Sequence, residues 1–228
     1  MTALEKPLAN VKIISDEKRG NGRWLSLHEV KFTDPSGTER GWEVCRRISP
    51  GSKEGRINSG PSIDAVDVIT IIKNSRGEAT HVALVIQYRP AMGTYTIEFP
   101  SGLVDAEEHV SEAALRELEE EVGFSVKYGH SVKVINTFDP IAYEPGITNS
   151  CSCAVVVEVV MEQEQLFGPN SMRNPSLEED EWSLQVAILP LQGLLKTLQE
   201  LQFSVGGYSK LVLDSRLYTW ALGRELGY

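Results

Sequence analysis

One uninterrupted run, Gly102 to Phe124, constrains this chain more than any other: GLVDAEEHVSEAALRELEEEVGF. Five residues separate the glycine from Glu108, and seven more lead to Arg116-Glu117-Leu118-Glu119-Glu120-Glu121-Val122-Gly123-Phe124. Residues three and four apart share a helix face. On a helix, Glu117, Glu120 and Glu121 therefore converge on one side, with Arg116 one turn before Glu120. Leu115, Leu118 and Val122 form the opposing apolar stripe, suited to burial against a sheet. Three clustered carboxylates repel one another, and a hard divalent cation with oxygen ligands turns that repulsion into a binding site. Glutamates alone are good helix formers and most often mark a solvated face. The glycines add the missing constraint. Gly102 follows the strand-like Thr96-Ile97-Glu98-Phe99-Pro100, and Gly123 sits where a helix stops in a left-handed conformation. The run reads as strand, acidic loop, helix and glycine stop.

At every specified position this run resembles the Nudix box: G, five residues, E, seven residues, REU, any residue, EE, any residue, GU, where U is bulky and aliphatic or aromatic. The resemblance implies an α/β fold, a Nudix α/β/α sandwich with a mixed sheet. It also implies Mg²⁺-assisted hydrolysis of a diphosphate joined to another moiety, with Mn²⁺ a possible substitute. By position in the motif, Glu117, Glu120 and Glu121 correspond to metal ligands and Arg116 to the residue that orients them. The carbonyl of Ser101, just before the box, corresponds to a further ligand.

The rest of the composition narrows the class. A chain of 228 residues suits one domain with an appendage. Its 41% hydrophobic and 24% charged content is ordinary for a globular protein. No apolar run approaches a membrane span, and MTALEKPLANVKIISDEK holds no signal-peptide stretch, so no membrane association is expected. Cys45, Cys151 and Cys153 cannot all pair with one another and show no zinc-type spacing, and Cys151-x-Cys153 alternates as a strand does. Reduced core thiols fit best, which points to the cytoplasm, with the nucleus also open. A net charge of −10 speaks against a nucleic-acid surface. For an anionic substrate, local cations must offset that field, and Arg46, Arg47 and Arg89 are candidates.

Along the chain, Trp24 to Thr33 and Gly41 to Ile48 read as two strands joined by Asp34-Pro35-Ser36-Gly37, a type I turn signal. This hairpin is marginal alone and needs something to pack on. A Gly/Ser/Pro-rich loop, Ser49 to Ser62, separates it from the body, giving an N-terminal β region over 1–60 and a main domain over 61–228. The body opens with strands Ala65 to Lys73 and His81 to Tyr88. It continues through Thr96 to Phe99, the helix, Val132 to Phe138 and Cys151 to Val160. Gln163 to Glu181 is a long polar loop, of the kind that often carries function. Pro190 is read as the start of a helix through Leu201, with Leu191, Leu194, Leu195 and Leu198 as its stripe. Asp214 is read as the cap of a last helix ending at Leu226.

The flanks of the box resemble a narrower group. Gln87-Tyr88-Arg89-Pro90-Ala91-Met92-Gly93 with Glu98-Phe99-Pro100-Ser101-Gly102 is similar to the QxRPP…E-x-PAG pattern of ADP-ribose pyrophosphatases, with Ala91 in place of the second proline. The likeness runs through Gly22-Arg23-Trp24, Trp42-Glu43 and Arg47. It returns in Glu144-Pro145-Gly146-Ile147-Thr148-Asn149 and Asp214-Ser215-Arg216-Leu217-Tyr218, and is nearest to the eukaryotic ADP-sugar diphosphatases. It implies a nucleotide-sugar substrate, with ADP-ribose yielding AMP and ribose 5-phosphate. It also implies a homodimer that swaps its N-terminal strands, and Trp24 and Trp42 clasping the adenine. As residues alone, half-buried strand aromatics are the commoner fate of both tryptophans. Arg47, Arg89 and Glu98 correspond to substrate-binding positions, although surface ion pairing is the ordinary fate of an arginine. Because Arg46 and Arg47 alternate on a strand, only one should point inward. The general base falls on the acidic loop at Glu181, with Glu179 and Asp180 beside it, unless that loop is merely a solvated acidic surface. Two other readings stay open. One is a Nudix enzyme for an oxidised guanine diphosphate, an NAD-type dinucleotide or another nucleoside diphosphate sugar. The other is a nucleotide-binding Nudix module without turnover.

Overall fold

The computed structural model describes residues 11–48, 63–167, 173, 175–204 and 211–227; the Gly/Ser/Pro segment 49–62 and part of the acidic loop lie outside them. The chain divides into two compact units, Met1–Asp64 with Pro140–Ser152, and Ala65–Asp139 with Cys153–Tyr228.

The first unit holds a three-stranded antiparallel sheet in the order β1 (Lys12–Asn21), β2 (Leu25–Thr33), β3 (Glu39–Arg47). The sequence suggested a two-stranded hairpin, and the structure adds β1. That strand is largely exposed and twice bulged, so its residues carry no clean alternation of apolar and polar side chains. The β2–β3 turn forms where expected. Gly37 N–H donates to the Asp34 carbonyl at 2.9 Å with φ of 84°, a conformation glycine adopts without a Cβ penalty. Residues 140–152 return to this unit. Cys45 N–H donates to the Ile147 carbonyl at 2.8 Å, and β9 (Ile141–Ala142) pairs with the first two residues of β10 (Cys151–Val160).

The second unit is built on a mixed sheet. Its strands are β4 (Ala65–Lys73), β5 (Ala79–Arg89), β6 (Thr94–Glu98), β7 (Ser101–Leu103), β8 (Ser131–Thr137), β10, β11 (Gln185–Pro190) and β12 (Val212–Leu213). The order is β12-β6-β5-β4-β10-β8, with β11 on β5 and β7 on β4. β12 runs parallel to β6, whereas β6–β5, β5–β4 and β10–β8 are antiparallel. AVDVITIIK and ATHVALVIQYR are nearly continuous apolar runs because both faces of these strands are covered. Val82 and Leu84 join Ile97, Phe99, Leu194, Leu198, Leu217 and Ala221 in one core. After β10 the chain forms the short α2 (Gln163–Leu166), and one face of the sheet is covered by α3 (Leu194–Ser204) and α4 (Ser215–Glu225). Ala83 and Val85 alternate to the other face, where α1 (Val110–Glu117) lies against β4, β7 and β8.

One expected boundary moves. Pro190 closes β11 instead of opening a helix, and α3 begins at Leu194. The leucine stripe still does its work, with Leu191, Leu194 and Leu198 buried. Asp214 caps α4 as expected, accepting from the backbone N–H of Arg216 and Leu217. Among the described residues no helix is long and apolar enough to cross a membrane.

Candidate active site

The box helix is not α-helical throughout. α1 gives way at Leu118 to a π-helical turn over Leu118–Val122, closed by Gly123 at φ of 84°. Wider turns of this kind often accompany functional sites. Glu117, 6% exposed, and Glu121, 1% exposed, point inward beside buried Leu118 and Val122. The separation of an acidic face from an apolar face, expected from the sequence, is therefore corrected. Leu115, assigned to the buried stripe, is instead 37% exposed.

The acidic loop supplies the third member of the cluster. Glu181, at the end of a short 3-10 turn over Glu179–Glu181, places a carboxylate oxygen within 4.8 Å of oxygens from both Glu117 and Glu121. Glu179 is exposed. The loop is tied to the π turn by Ser176 N–H donating to the Glu120 carbonyl at 2.8 Å. The Glu120 side chain lies outside the trio and accepts from Arg116 Nη1 at 3.0 Å.

Arg116 is the hub. Its Nε and Nη2 donate to the two oxygens of Glu108 at 2.9 and 3.1 Å, Nη1 donates to Glu117 at 2.6 Å, and Nη2 also reaches the Leu103 carbonyl at 2.8 Å. The first glycine of the motif also finds its reason. A Cβ on Gly102 would lie 1.8 Å from Glu117 Oε1, so the glycine is the floor on which that carboxylate rests. Beside it, Ser101 N–H donates to Glu121 Oε2 at 3.0 Å.

Electrostatics set the cost of this arrangement. Burial pushes the Glu121 carboxyl up to about 9, and the Glu117 charge adds to it against the Ser101 N–H. Burial likewise raises Glu117 to about 7, against the pull of Arg116. Glu181 raises both further. Buried like charges of this density cost stability unless a cation shares them. A set of carboxylate oxygens around a small glycine-floored space suits a hard divalent ion.

Arg89 stands beside this cluster on β5, near enough for the Glu121 charge to favour its ionised form. Glu98, buried at the end of β6, holds it in a two-pronged grip, Nε to Oε1 at 2.8 Å and Nη2 to Oε2 at 2.7 Å. Glu98 is therefore committed to Arg89. Thr96 also hydrogen-bonds Glu98, a further fixed point that spacing alone could not reveal.

The remaining expected site residues lie in the first unit. Trp24, just before β2, and Trp42, on β3, are each 55% exposed. The Arg23 guanidinium lies 4.6 Å above the Trp24 ring, and Trp42 Nε1 donates to the Gly146 carbonyl at 2.9 Å. Arg46 turns inward to Asp16 at 2.5 Å, while Arg47, its neighbour on β3, is exposed.

A NUDIX domain model matches residues 63–200, which contain the whole carboxylate cluster and Arg89. The chain belongs to the Nudix hydrolase family. It is 30% identical over 210 residues to a Mus musculus protein named ADP-sugar pyrophosphatase, covering 92% of this chain and 85% of that one. It is 35% identical over 139 residues to a Saccharomyces cerevisiae protein named ADP-ribose pyrophosphatase, covering 61% of this chain and 54% of the yeast protein. The chain thus spans about half the length of that yeast relative. A crystal structure described as an ADP compounds hydrolase shares the fold, with a TM-score of 0.58, 97% coverage of both chains and 18% identity. This Nudix chain therefore joins the family's box to a separate small antiparallel sheet.

Proposed function

We propose that this Nudix protein hydrolyses the diphosphate bond of ADP-ribose and related ADP-sugars, releasing AMP and the sugar 5-phosphate, with Mg²⁺ as the metal and Mn²⁺ able to replace it. The observation that carries the reading is the convergence of Glu117, Glu121 and Glu181 beside the fixed guanidinium of Arg89. The names borne by the mouse and yeast relatives support the choice of substrate class. Glu117 and Glu121, with Glu120 and the Ser101 carbonyl at the rim, would hold the cation. When bound, the cation would neutralise negative charge developing on the diphosphate oxygens.

The chain's own groups do the rest. Arg89, locked by Glu98, binds and orients a phosphate as a fixed cation. Arg116 holds the box glutamates in place. Glu181, less buried than the helix pair and carried on a loop, accepts the proton from the attacking water. One oxygen–phosphorus bond forms, the bridging bond breaks, and the second phosphate leaves. Trp24 and Trp42 supply exposed aromatic faces for the adenine, and Arg47 a nearby cation on the same strand as Trp42. The N-terminal β region, 1–60, then serves base binding and pairing with a second copy, and 61–228 serves the chemistry.

A substrate panel tests this. ADP-ribose, other ADP-sugars, an NAD-type dinucleotide, another nucleoside diphosphate sugar and an oxidised guanine diphosphate are each incubated with Mg²⁺ and with EDTA. ADP-ribose should lead the panel by kcat/KM, with turnover absent in EDTA. A different leader would replace the substrate assignment, and no turnover of any member would leave a binding module.

A further inference from the structure

β4 carries a carboxylate where its pattern calls for an apolar residue. Asp67 is 2% exposed within AVDVITIIK, and a buried charge of this kind persists only when it is partnered. Its partner comes from the far end of the chain, outside the domain match at 63–200. Arg216 Nη1 donates to Asp67 Oδ1 at 2.6 Å. The same guanidinium forks onto Asp214, Nε to Oδ1 at 2.9 Å and Nη2 to Oδ2 at 2.7 Å. Only an arginine can serve two carboxylates in fixed directions in this way.

The position of this clamp gives it meaning. Asp67 stands directly opposite Ser101 in the β4–β7 ladder, and the next residue, Val68, donates its N–H to the Pro100 carbonyl at 2.8 Å. Ser101 in turn donates to Glu121. On the other flank, Asp214 N–H donates to the Ile97 carbonyl at 3.1 Å, β12 pairs with β6 at Thr96 and Ile97, and Trp220 rests edge-on against Phe99. The segment Ile97–Ser101, which ends at the carboxylate cluster, is thus held by β4 on one flank and by the cap and first turns of α4 on the other, and Arg216 ties the two together.

We propose that Arg216, acting through Asp67, is a positioning residue that fixes the Pro100–Ser101 turn against Glu121 and so sets the cation site of the Nudix centre. The proposal rests on reading Glu117, Glu121 and the Ser101 carbonyl as cation ligands. Arg216 touches no reacting atom. Removing it lets the turn shift relative to the helix, which weakens cation binding and slows the chemical step more than it weakens substrate binding.

The test uses the full chain and two readouts. Mn²⁺ affinity is measured by electron paramagnetic resonance without substrate, and kcat and KM are measured with ADP-ribose at saturating Mg²⁺. Arg216→Ala should raise the Mn²⁺ dissociation constant about tenfold or more and lower kcat 10- to 100-fold, with KM changed less than threefold. Arg216→Lys, which keeps the charge but loses the fork, should fall between. Leu198→Ala, a buried core truncation in α3, should lower the melting temperature while leaving Mn²⁺ affinity and kcat near wild type. Wild-type Mn²⁺ affinity and kcat in folded Arg216→Ala would overturn the proposal. If that variant does not fold, wild-type values in Arg216→Lys would overturn it equally. A wild-type chain that binds Mn²⁺ but spares ADP-ribose rejects the substrate assignment and leaves the clamp to the Mn²⁺ arm. A wild-type chain that binds no Mn²⁺ rejects the metal reading and the clamp with it.

Discussion

Gly102→Ala is the sharpest single perturbation of the site. Gly102 lies in β7 opposite Val66, and its φ is not positive, so its backbone accepts alanine without strain. Replacing glycine in such a place removes freedom from the unfolded chain, which by itself stabilises by roughly 0.5–1 kcal/mol. The new methyl, however, would sit 1.8 Å from Glu117 Oε1, 2.0 Å from Cδ and 2.4 Å from Oε2, whereas ordinary contact begins near 3.4 Å. The obstacle is the far end of a flexible side chain, so the carboxylate retreats by about 1.5 Å and the strand stays. In retreating it gives up the 2.6 Å bond from Arg116 and its place in the trio. Misplacing a group at a reaction centre by about 1 Å costs on the order of 10²-fold in rate. The variant should therefore melt within a few degrees of wild type while kcat falls roughly 10²-fold and the Mg²⁺ requirement rises. Circular dichroism melting, kcat at saturating ADP-ribose and a Mg²⁺ titration read the three quantities. Turnover within threefold of wild type at limiting Mg²⁺ would refute the role of Gly102 as the floor for a working Glu117.

Three further outcomes are expected. Glu121→Gln should abolish most turnover yet stabilise the metal-free protein at neutral pH. The folded Glu121 carboxyl titrates at about 9 against an ordinary 4.5, so its contribution is complete below the ordinary value and is lost as pH rises toward 9. At pH 7 that loss is about 3 kcal/mol. EDTA-treated wild type should accordingly melt lower at pH 8 than at pH 5, with the Gln variant flatter; parallel curves would remove Glu121 from this account. Trp24→Ala and Trp42→Ala should each raise KM by the equivalent of about 1–3 kcal/mol of base stacking with a smaller fall in kcat. If the pair crosses a subunit interface, mixing the two single variants should restore part of the activity, and no recovery despite confirmed subunit exchange would place both in one subunit or outside the site. Sedimentation at micromolar concentration should show two chains, because strand edges of a small sheet call for pairing or cover; a fully active monomer contradicts that.

The sequence by itself determined the parts governed by short-range chemistry. The box spacing, the strand runs, the Asp34–Gly37 turn, the Asp214 cap and the Gly123 stop depend on neighbours a few residues away, and all are legible from residue type and period. It also marked Arg116, Glu117 and Glu121, because motif positions on one helical segment need no knowledge of distant partners. What it could not decide depends on residues far apart in the chain. The helical period did not show that Glu117 and Glu121 are buried against Gly102 and Ser101 while Glu120 stays outside their trio with Glu181. β1 was hidden because an exposed edge strand has no buried face to impose alternation. Among three neighbouring acids, Glu181 was separated from Glu179 only by the path of the loop over the π turn. Arg216 reaches Asp67 across 149 positions of sequence. A buried carboxylate in an apolar strand announces that some cation must come to it, but only the folded chain, by bringing α4 against β4, decides which one.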